Sequence, residues 1–531
     1  MSTRVFKPLA MALTVALFFA VFSVTSSFAA RLTPAQKRGK QLYLKTTSPS
    51  GREIKAYVTE GAIEAPGSAM PCVNCHHYDG QGLDEVGVTA TNVTWEDLTR
   101  PYRIKRSKGR VHPPYTEETL ARAIREGIDP AGNTLEYSMP RYEISDEELA
   151  DLIAYLKIIG SVMDPGLSED AIRVGTVLPL TGRLADLGRV MQRIIEAYFH
   201  QINASGGIYT RKLELRVAEY AGTPQSTLAT FKQLVDEQET FALVSAFTSG
   251  ADAEVAGLIE DGEVPLIGPF TLFPEDIFAL NRFTFYLFSG LREQARALVA
   301  YAQQTLPGPN RRVAVVYPRE KVAKDIVAAV ERQGTQSEWG AIASIAYASG
   351  RLQASDLAQQ LRGDGTEAVF FLGAWEELRA LLLQAVKVNW TPNICISGSQ
   401  AKRDVFELPL VFTHKVFLAY PSLPQDHKTA GRQELGRLFE KYDLSKEHLT
   451  AQIFAYCAAK ILVEGIKRAG RKLSREKLVT ALENLYEFDT GLTPRITYDP
   501  NRRIGALGAY IVTVDLHNKS FVPVSGWIAL D

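Results

Sequence analysis

Four cysteines in 531 residues are too few to staple a chain of this length, so disulfide scaffolding is excluded as the main source of stability. An excess of charge of one sign is lacking too. There are 59 Lys and Arg against 60 Asp and Glu, whereas contacts to a nucleic-acid backbone need a strong basic surplus, so no nucleic-acid partner is expected. Beyond the N-terminus no segment approaches the roughly 18 consecutive apolar residues of a membrane span. No Ser-His-Asp pattern, phosphate loop or second metal-ligand cluster is recognisable, and the chain is not expected to be an enzyme. What is present is a globular composition, 46% apolar, with a length that at roughly 150 residues per domain implies about three compact lobes.

The first 30 residues read as a secretory signal. Arg4 and Lys7 provide a charged start, Leu9 to Val24 an apolar run, and Ser27, Phe28, Ala29 and Ala30 a small-residue cleavage site. The run is shorter than the ~20 residues a spanning helix needs, and no cysteine near the cleavage site offers a lipid anchor. The mature chain, beginning near Arg31, is therefore expected in the periplasm, with no stable membrane insertion after cleavage.

The sharpest motif is Cys72-Val73-Asn74-Cys75-His76. Two thiols three positions apart can add to the two vinyl groups of a haem while the adjacent imidazole reaches the iron. The alternatives are a redox C-x-x-C and half of a zinc site, and a zinc site would need a second ligand pair, whereas the remaining cysteines, Cys395 and Cys457, lie more than 300 positions away. Thr33-Pro34-Ala35-Gln36 and Ser145-Asp146-Glu147-Glu148 are capping boxes opening two helices, the first continuing through Gly39, Leu42 and Tyr43, the second carrying Leu149, Leu152, Ile153 and Leu156 on one face.

On these features the stretch resembles the monohaem c-type cytochromes over about residues 31 to 160. The resemblance implies one covalently attached haem c, held by Cys72 and Cys75 with His76 on the iron, and first and last helices crossing closely at Gly39. It also places the sixth ligand at Met139 in Tyr137-Ser138-Met139-Pro140. His112 and His77 are the alternatives, though His77 directly follows the proximal ligand. A Met/His pair suits electron transfer rather than catalysis. Arg100, Arg103, Lys105, Arg106, Lys108 and Arg110 place six cations in eleven positions, either a docking surface for an acidic redox partner, a cover for haem propionates, or a solvated loop.

After Asp164-Pro165-Gly166 the pattern changes. Short apolar runs at 172–180, 213–218, 241–246, 312–317, 368–372 and 393–397 alternate with amphipathic helices, implying parallel sheets covered on both faces. About 360 residues exceed one core, so two lobes are expected. Val174 to Gly182, Ile202 to Ile208, Leu243 to Gly250, Val264 to Pro269, Asp489-Thr490-Gly491 and Ile496 to Asp499 together resemble the type I periplasmic binding proteins, specifically the branched-chain amino acid and amide receptors of ABC importers. The resemblance implies a ligand between the lobes at the carboxyl ends of the strands. Ser249 and Thr271 match positions that receive a ligand's carboxylate, with Phe270 between strand and Thr271, and Trp375 and Tyr420 are candidates for the opposite wall. The pattern departs from the family at Glu219-Tyr220-Ala221-Gly222, at Pro318-Arg319-Glu320 and in the first cleft loop, Thr181 to Gly188, which has leucine where amino-acid binders often present an aromatic. No counterpart of the acid that would neutralise an amino group is evident. An α-amino acid is thereby disfavoured, and an amide, a carboxylate, a small aromatic or an oxidisable metabolite stays open. Cys395 and Cys457 read as packed thiols or a disulfide pair.

The expected fold is thus multidomain: an all-α cytochrome c domain at 31–160, a linker at 161–170, and a two-lobed α/β periplasmic-binding-protein-like fold at 171–531. The expected function is an exported haem c electron-transfer protein fused to a small-solute receptor, coupling solute binding or uptake with periplasmic electron transfer. Its partners would be the solute and either an ABC permease or a periplasmic redox protein. The alternatives are an importer receptor whose haem is secondary and the redox subunit of a periplasmic dehydrogenase.

Overall fold

The computed structural model describes residues 32–58, 63–85, 88–106, 109–161, 163–220, 222–236, 240–248, 250–275, 281–305, 311–334, 339, 342–401 and 403–530. The expected signal segment and Ser249 lie outside them.

The N-terminal domain is built on helices α1 (Pro34–Lys45), α2 (Val73–His76), α3 (Trp95–Leu98), α4 (Glu117–Glu126) and α5 (Asp146–Leu156). Both expected capping boxes form: Thr33 and Gln36 cap α1 reciprocally, and Ser145 and Glu148 cap α5. Helices α1 and α5 cross so closely that a Cβ on Gly39 would lie 2.0 Å from the Asp151 carbonyl oxygen, so only glycine fits there. Between the helices run short strands: β1 (Lys55–Val58), β2 (Ile63–Pro66), β3 (Leu83–Glu85), β4 (Val88–Ala90), β5 (Ile104–Lys105), β6 (Val111–His112) and β7 (Arg141–Glu143). They pair antiparallel as β2-β1-β7, β3-β4 and β5-β6, adding small ladders to an otherwise helical domain.

The first lobe that follows has β8 (Ala171–Leu178), α6 (Ala185–Ala204), β9 (Lys212–Glu219), α7 (Pro224–Asp236), β10 (Ala242–Val244), α8 (Asp252–Gly262), β11 (Leu266–Ile267) and β12 (Thr284–Phe288). The second lobe has α9 (Leu291–Thr305), β13 (Val313–Pro318), α10 (Lys321–Gly334), β14 (Ala343–Tyr347), α11 (Ala354–Gly363), β15 (Ala368–Phe371), α12 (Trp375–Lys387), β16 (Asn393–Ser397) and β17 (Val416–Tyr420). The chain then returns to the first lobe through α13 (Thr429–Tyr442), α14 (Leu449–Ala469), α15 (Arg475–Glu483) and β18 (Ile504–Ala506). It ends in the second with β19 (Gly508–Asp515), β20 (Ser520–Pro523) and β21 (Ile528–Ala529).

The first-lobe sheet is parallel in the order β18-β12-β11-β10-β8-β9. The second runs β14-β13-β15-β16-β17-β19-β20, antiparallel from β19 onward. Apolar clusters cover both faces of the second sheet, as buried parallel strands require. Helix α14 is long and apolar enough to cross a membrane by length and composition, but it is mostly buried within the first lobe, against α6, β10 and β11, and is a core helix. Cys395 and Cys457 are buried free thiols in the cores of different lobes, so the disulfide alternative does not hold.

The order of elements locates the space between the lobes. Strands β12 and β18 leave the first sheet at their carboxyl ends and lead directly, at Leu291 and Gly508, into the second lobe. The second lobe therefore lies beyond the carboxyl ends of β9 to β12. The N-terminal domain docks at the opposite, amino-terminal edge of that sheet. Arg282, just before β12, donates to the Tyr78 hydroxyl at 2.7 Å, pairs with Glu476 at 2.7 Å and stacks over the Tyr78 ring. Lys477 bonds Asp79 at 2.8 Å, and Lys40 pairs with Glu263, just before β11. Arg475, buried, receives the Asp164 carboxylate on its backbone N–H and donates to the Thr240 and Phe241 carbonyls.

Candidate functional sites: an apolar cavity beside the CxxCH turn and the cleft between the lobes

A cavity of about 290 Å³ in the N-terminal domain is lined by Cys72, Cys75, His76 and Met139, with Leu98, Leu120, Ile124, Leu152 and Leu156 among its apolar walls. A single helical turn brings the first three together, since Cys72 caps α2 and positions three and four later share its face. His76 is buried, and its Nδ1 lies 2.8 Å from the Thr91 carbonyl oxygen. A carbonyl only accepts, so Nδ1 carries the proton and Nε2 is the nitrogen left to ligate. Burial lowers the His76 pKa, favouring the neutral ring, and raises the Cys72 thiol to about 11.

Two buried tyrosines hold the attachment turn from both sides. The Tyr142 hydroxyl donates to the Met70 carbonyl and the Tyr43 hydroxyl to the His77 carbonyl, each at 2.6 Å. The Met139 loop is held by Arg141, which donates to the Leu135 carbonyl at 3.0 Å and to the Met139 carbonyl. The guanidinium fits because Gly127, in the left-handed region at φ 70°, ends α4 without a side chain; a Cβ there would meet Arg141 Nε at 1.7 Å.

His112, one alternative ligand, is buried outside the cavity lining with both ring nitrogens engaged, Nδ1 toward the Pro113 carbonyl at 2.8 Å and Nε2 accepting from Arg106 at 3.2 Å. His77 is exposed and lies on the seam with α14 and α15. The six-cation run divides. Arg106 and Arg110 line the cavity, anchored at 2.7 Å on Asp97 and on the fully buried Asp129. Arg100 also pairs with Asp97, Arg103 and Lys105 are exposed, and Lys108 lies outside the described residues.

In the cleft, Phe270 and Thr271 follow β11 as expected, Phe270 half-buried, with the Thr271 hydroxyl accepting from the Phe273 N–H at 3.0 Å. Tyr420 ends β17, half-buried, its ring over the backbone of Gly398. Trp375 requires a correction. It opens α12, but its side chain is only 3% exposed and packs in the second lobe's core against the sheet, so it does not form a cleft wall. Residues not singled out from the sequence also gather here. Asp252 at the start of α8 accepts from the Thr248 hydroxyl at 2.7 Å and the Gly250 N–H at 3.2 Å and also bonds the Thr271 hydroxyl. Its pKa is raised by burial, which outweighs those bonds.

A two-lobed α/β fold whose crossovers leave the strands' carboxyl ends defines a receptor-type architecture, here preceded by a domain with a thiol- and imidazole-lined cavity. Family models agree: residues 171–520 match the periplasmic binding protein model and residues 37–159 the cytochrome c model. The chain belongs to the periplasmic binding protein family and carries a cytochrome c domain ahead of it.

Among relatives, the Leu/Ile/Val-binding protein homolog 3 of Brucella melitensis is 24% identical over 366 residues, 66% of this chain and 90% of its own. The leucine-, isoleucine-, valine-, threonine- and alanine-binding protein of Pseudomonas aeruginosa is 21% identical, over 65% and 91%. Among solved structures, a branched-chain amino acid ABC transporter protein of Thermus thermophilus with bound valine superposes with TM-score 0.54 at 18% identity, covering 68% of this chain and 98% of that one. A fatty acid ABC transporter substrate-binding protein of Thermomonospora curvata gives 0.54 at 17%, covering 70% and 95%. Two such different ligands on one fold leave the solute to the cleft residues.

A cytochrome c domain implies covalently bound haem c, and the cavity fits it: two thiols on one turn, a tautomer-fixed imidazole, a thioether, apolar walls and two guanidiniums.

Proposed function

We propose that this protein is a periplasmic haem c electron carrier fused to a small-solute receptor, and not an enzyme. The observation that carries this reading is the placement of two sites on one body. The cavity beside Cys72-His76 and the cleft at the carboxyl ends of β9 to β12 lie on opposite sides of the first lobe, joined by the Tyr78–Arg282 and Asp79–Lys477 contacts. When bound, haem c supplies one-electron transfer. In this reading Cys72 and Cys75 would anchor it, His76, oriented by the Thr91 carbonyl, and Met139, in the loop that Arg141 holds, would ligate its iron, and Arg106 and Arg110 would pair with its carboxylates. The cleft collects a solute, and the domain tether keeps the redox centre near whatever engages it, a permease or a redox protein.

The test is a thermal-shift screen of the haem-loaded protein against small metabolites, with the haem oxidised and reduced in parallel. A stabilising solute supports the receptor reading, since stabilisation reports affinity by mass action. Unequal shifts in the two redox states mean that binding and reduction are linked, and by reciprocity the solute then moves the potential; equal shifts mean an uncoupled fusion. A library that stabilises neither form removes the receptor reading.

A further inference from the structure

On the receptor reading, the residues of the cleft also narrow its solute. Four successive strands of the first lobe each present an aromatic at or just past the carboxyl end: Tyr220 after β9, Phe247 after β10, Phe270 after β11 and Phe288 at the end of β12. Their rings form one continuous surface. Tyr220 meets Phe247 edge-on at 4.7 Å and Phe247 stacks on Phe270 at 5.9 Å. Phe454 of α14 then meets Phe270 and Phe288 edge-on at 5.0 and 5.7 Å. Tyr220, Phe270 and Phe288 remain half-exposed on the side toward which both crossovers lead. A wall of this kind offers ring faces and edges, which aromatic molecules match.

Three carboxylates that border the cleft, Asp252, Glu219 and Glu377, are already engaged by the chain. Asp252 takes the Thr248 and Thr271 hydroxyls and the Gly250 N–H, donors a ligand carboxylate would need, and its own charge repels a second carboxylate. Glu219 accepts from the Thr181 N–H at 3.0 Å and the Thr181 hydroxyl at 2.8 Å. Across the cleft Glu377 accepts from the Tyr347 hydroxyl at 2.6 Å and the Gly350 and Ala374 N–H groups. The carboxyl end of β16 carries uncharged groups: Ser397 donates to Gln294 at 2.7 Å, and Gln400 bonds the Ser397 N–H and the Gly373 carbonyl. Among these groups a zwitterion finds neither a spare anion nor a spare donor set, and the other charges at the described strand ends, Arg183 past β8 and Arg319 and Glu320 past β13, are exposed, where solvent screening leaves them little selectivity.

We infer that the cleft takes a small neutral aromatic molecule bearing a hydroxyl or amide group and neither a carboxylate nor an ammonium. Titration calorimetry of the full-length, haem-loaded protein with benzyl alcohol, benzamide, benzoate, phenylalanine and leucine tests this. Benzyl alcohol or benzamide is expected to bind at least about ten-fold more tightly than the three charged probes. Phe270→Leu, which keeps apolar volume, is expected to weaken that binding by about ten-fold while the haem spectrum and melting temperature stay unchanged. Asp252→Asn is expected to raise benzoate affinity by about ten-fold relative to the unmodified protein. Tighter binding of benzoate, which Arg319 beyond β13 would have to pair, or of either amino acid, overturns the inferred class and leaves the receptor reading standing. Failure of all five probes to bind also overturns it, and only silence of the wider metabolite screen would take the receptor reading with it.

Discussion

The haem cavity and the solute cleft contrast in how their walls are held. The cavity belongs to one domain, and each reactive side chain sits in a segment whose carbonyls are gripped by another side chain: Met70 by Tyr142, His77 by Tyr43, Met139 and Leu135 by Arg141. The cleft draws its walls from two lobes connected by extended crossovers, and the hydrogen bonds that fix Asp252 and Glu377 each stay within one lobe. A redox centre gains from a pocket that does not rearrange, whereas a receptor needs two bodies that can close on a solute. The seam between them, at the amino-terminal edge of the first sheet, makes the haem domain a passenger of one lobe only.

The strongest way to break this contrast is to loosen the cavity while sparing the cleft. Gly39→Val drives a side chain into the Asp151 carbonyl at the crossing of α1 and α5, and is expected to cost the haem domain on the order of 3 kcal/mol. In calorimetry the haem-domain transition should fall well below that of the two lobes. A single unshifted transition would show that the crossing tolerates the bulk.

The next effect concerns the seam. Arg282→Ala leaves Glu476 buried without its partner and Tyr78 without its donor, which should cost about 1–3 kcal/mol and separate unfolding of the two parts. If the two redox states show unequal solute stabilisation in the unmodified protein, the same variant should equalise them, because Tyr78 stands two residues from His76. Arg141→Ala is smaller still, about 1–2 kcal/mol, and on the proposed ligation by Met139 should weaken the long-wavelength absorbance that such a bond would give while the haem stays attached. Arg141→Lys, with one point charge instead of a fork, should restore only part of it. An unchanged spectrum in both would mean that the Met139 loop holds itself.

The cavity was more legible in the chain than the cleft, for a physical reason. Covalent attachment demands fixed spacing, so Cys72, Cys75 and His76 announce themselves within one helical turn, and the capping boxes at Thr33 and Ser145 mark their helices by local rules. The residues that grip the cavity carry no such signature. Tyr43, Thr91, Tyr142 and Arg141 act through carbonyls up to 72 positions away, a pairing only the fold creates. In the cleft, strand ends were readable but side-chain direction was not. Trp375 follows a strand much as Phe270 does, yet as the first residue of α12 it turns into the core. The strand β12 with its terminal Phe288, and Asp252 facing back to Thr248, follow from topology rather than from any motif.

The smallest effect sharpens the comparison through pH. Glu148 caps α5, accepting from the Ser145 N–H at 2.9 Å and from Arg52 at 2.6 Å. Burial raises its pKa, but the Ser48, Ser145 and Arg52 hydrogen bonds outweigh it, and the net is a fall from 4.5 to about 2. A carboxyl more acidic in the folded chain than in the unfolded one adds stability above the unfolded value. That stability drains as pH drops from about 4.5 toward about 2. Glu148→Gln keeps the capping geometry without the charge. It should cost the haem domain about 1 kcal/mol at neutral pH and flatten its acid dependence across that window, leaving the lobes' transition where it was. Equal acid slopes in the variant and the unmodified protein would place the acid sensitivity elsewhere, with Asp129, also held below its usual value despite burial by Asn133 and Arg110, as the next group to replace.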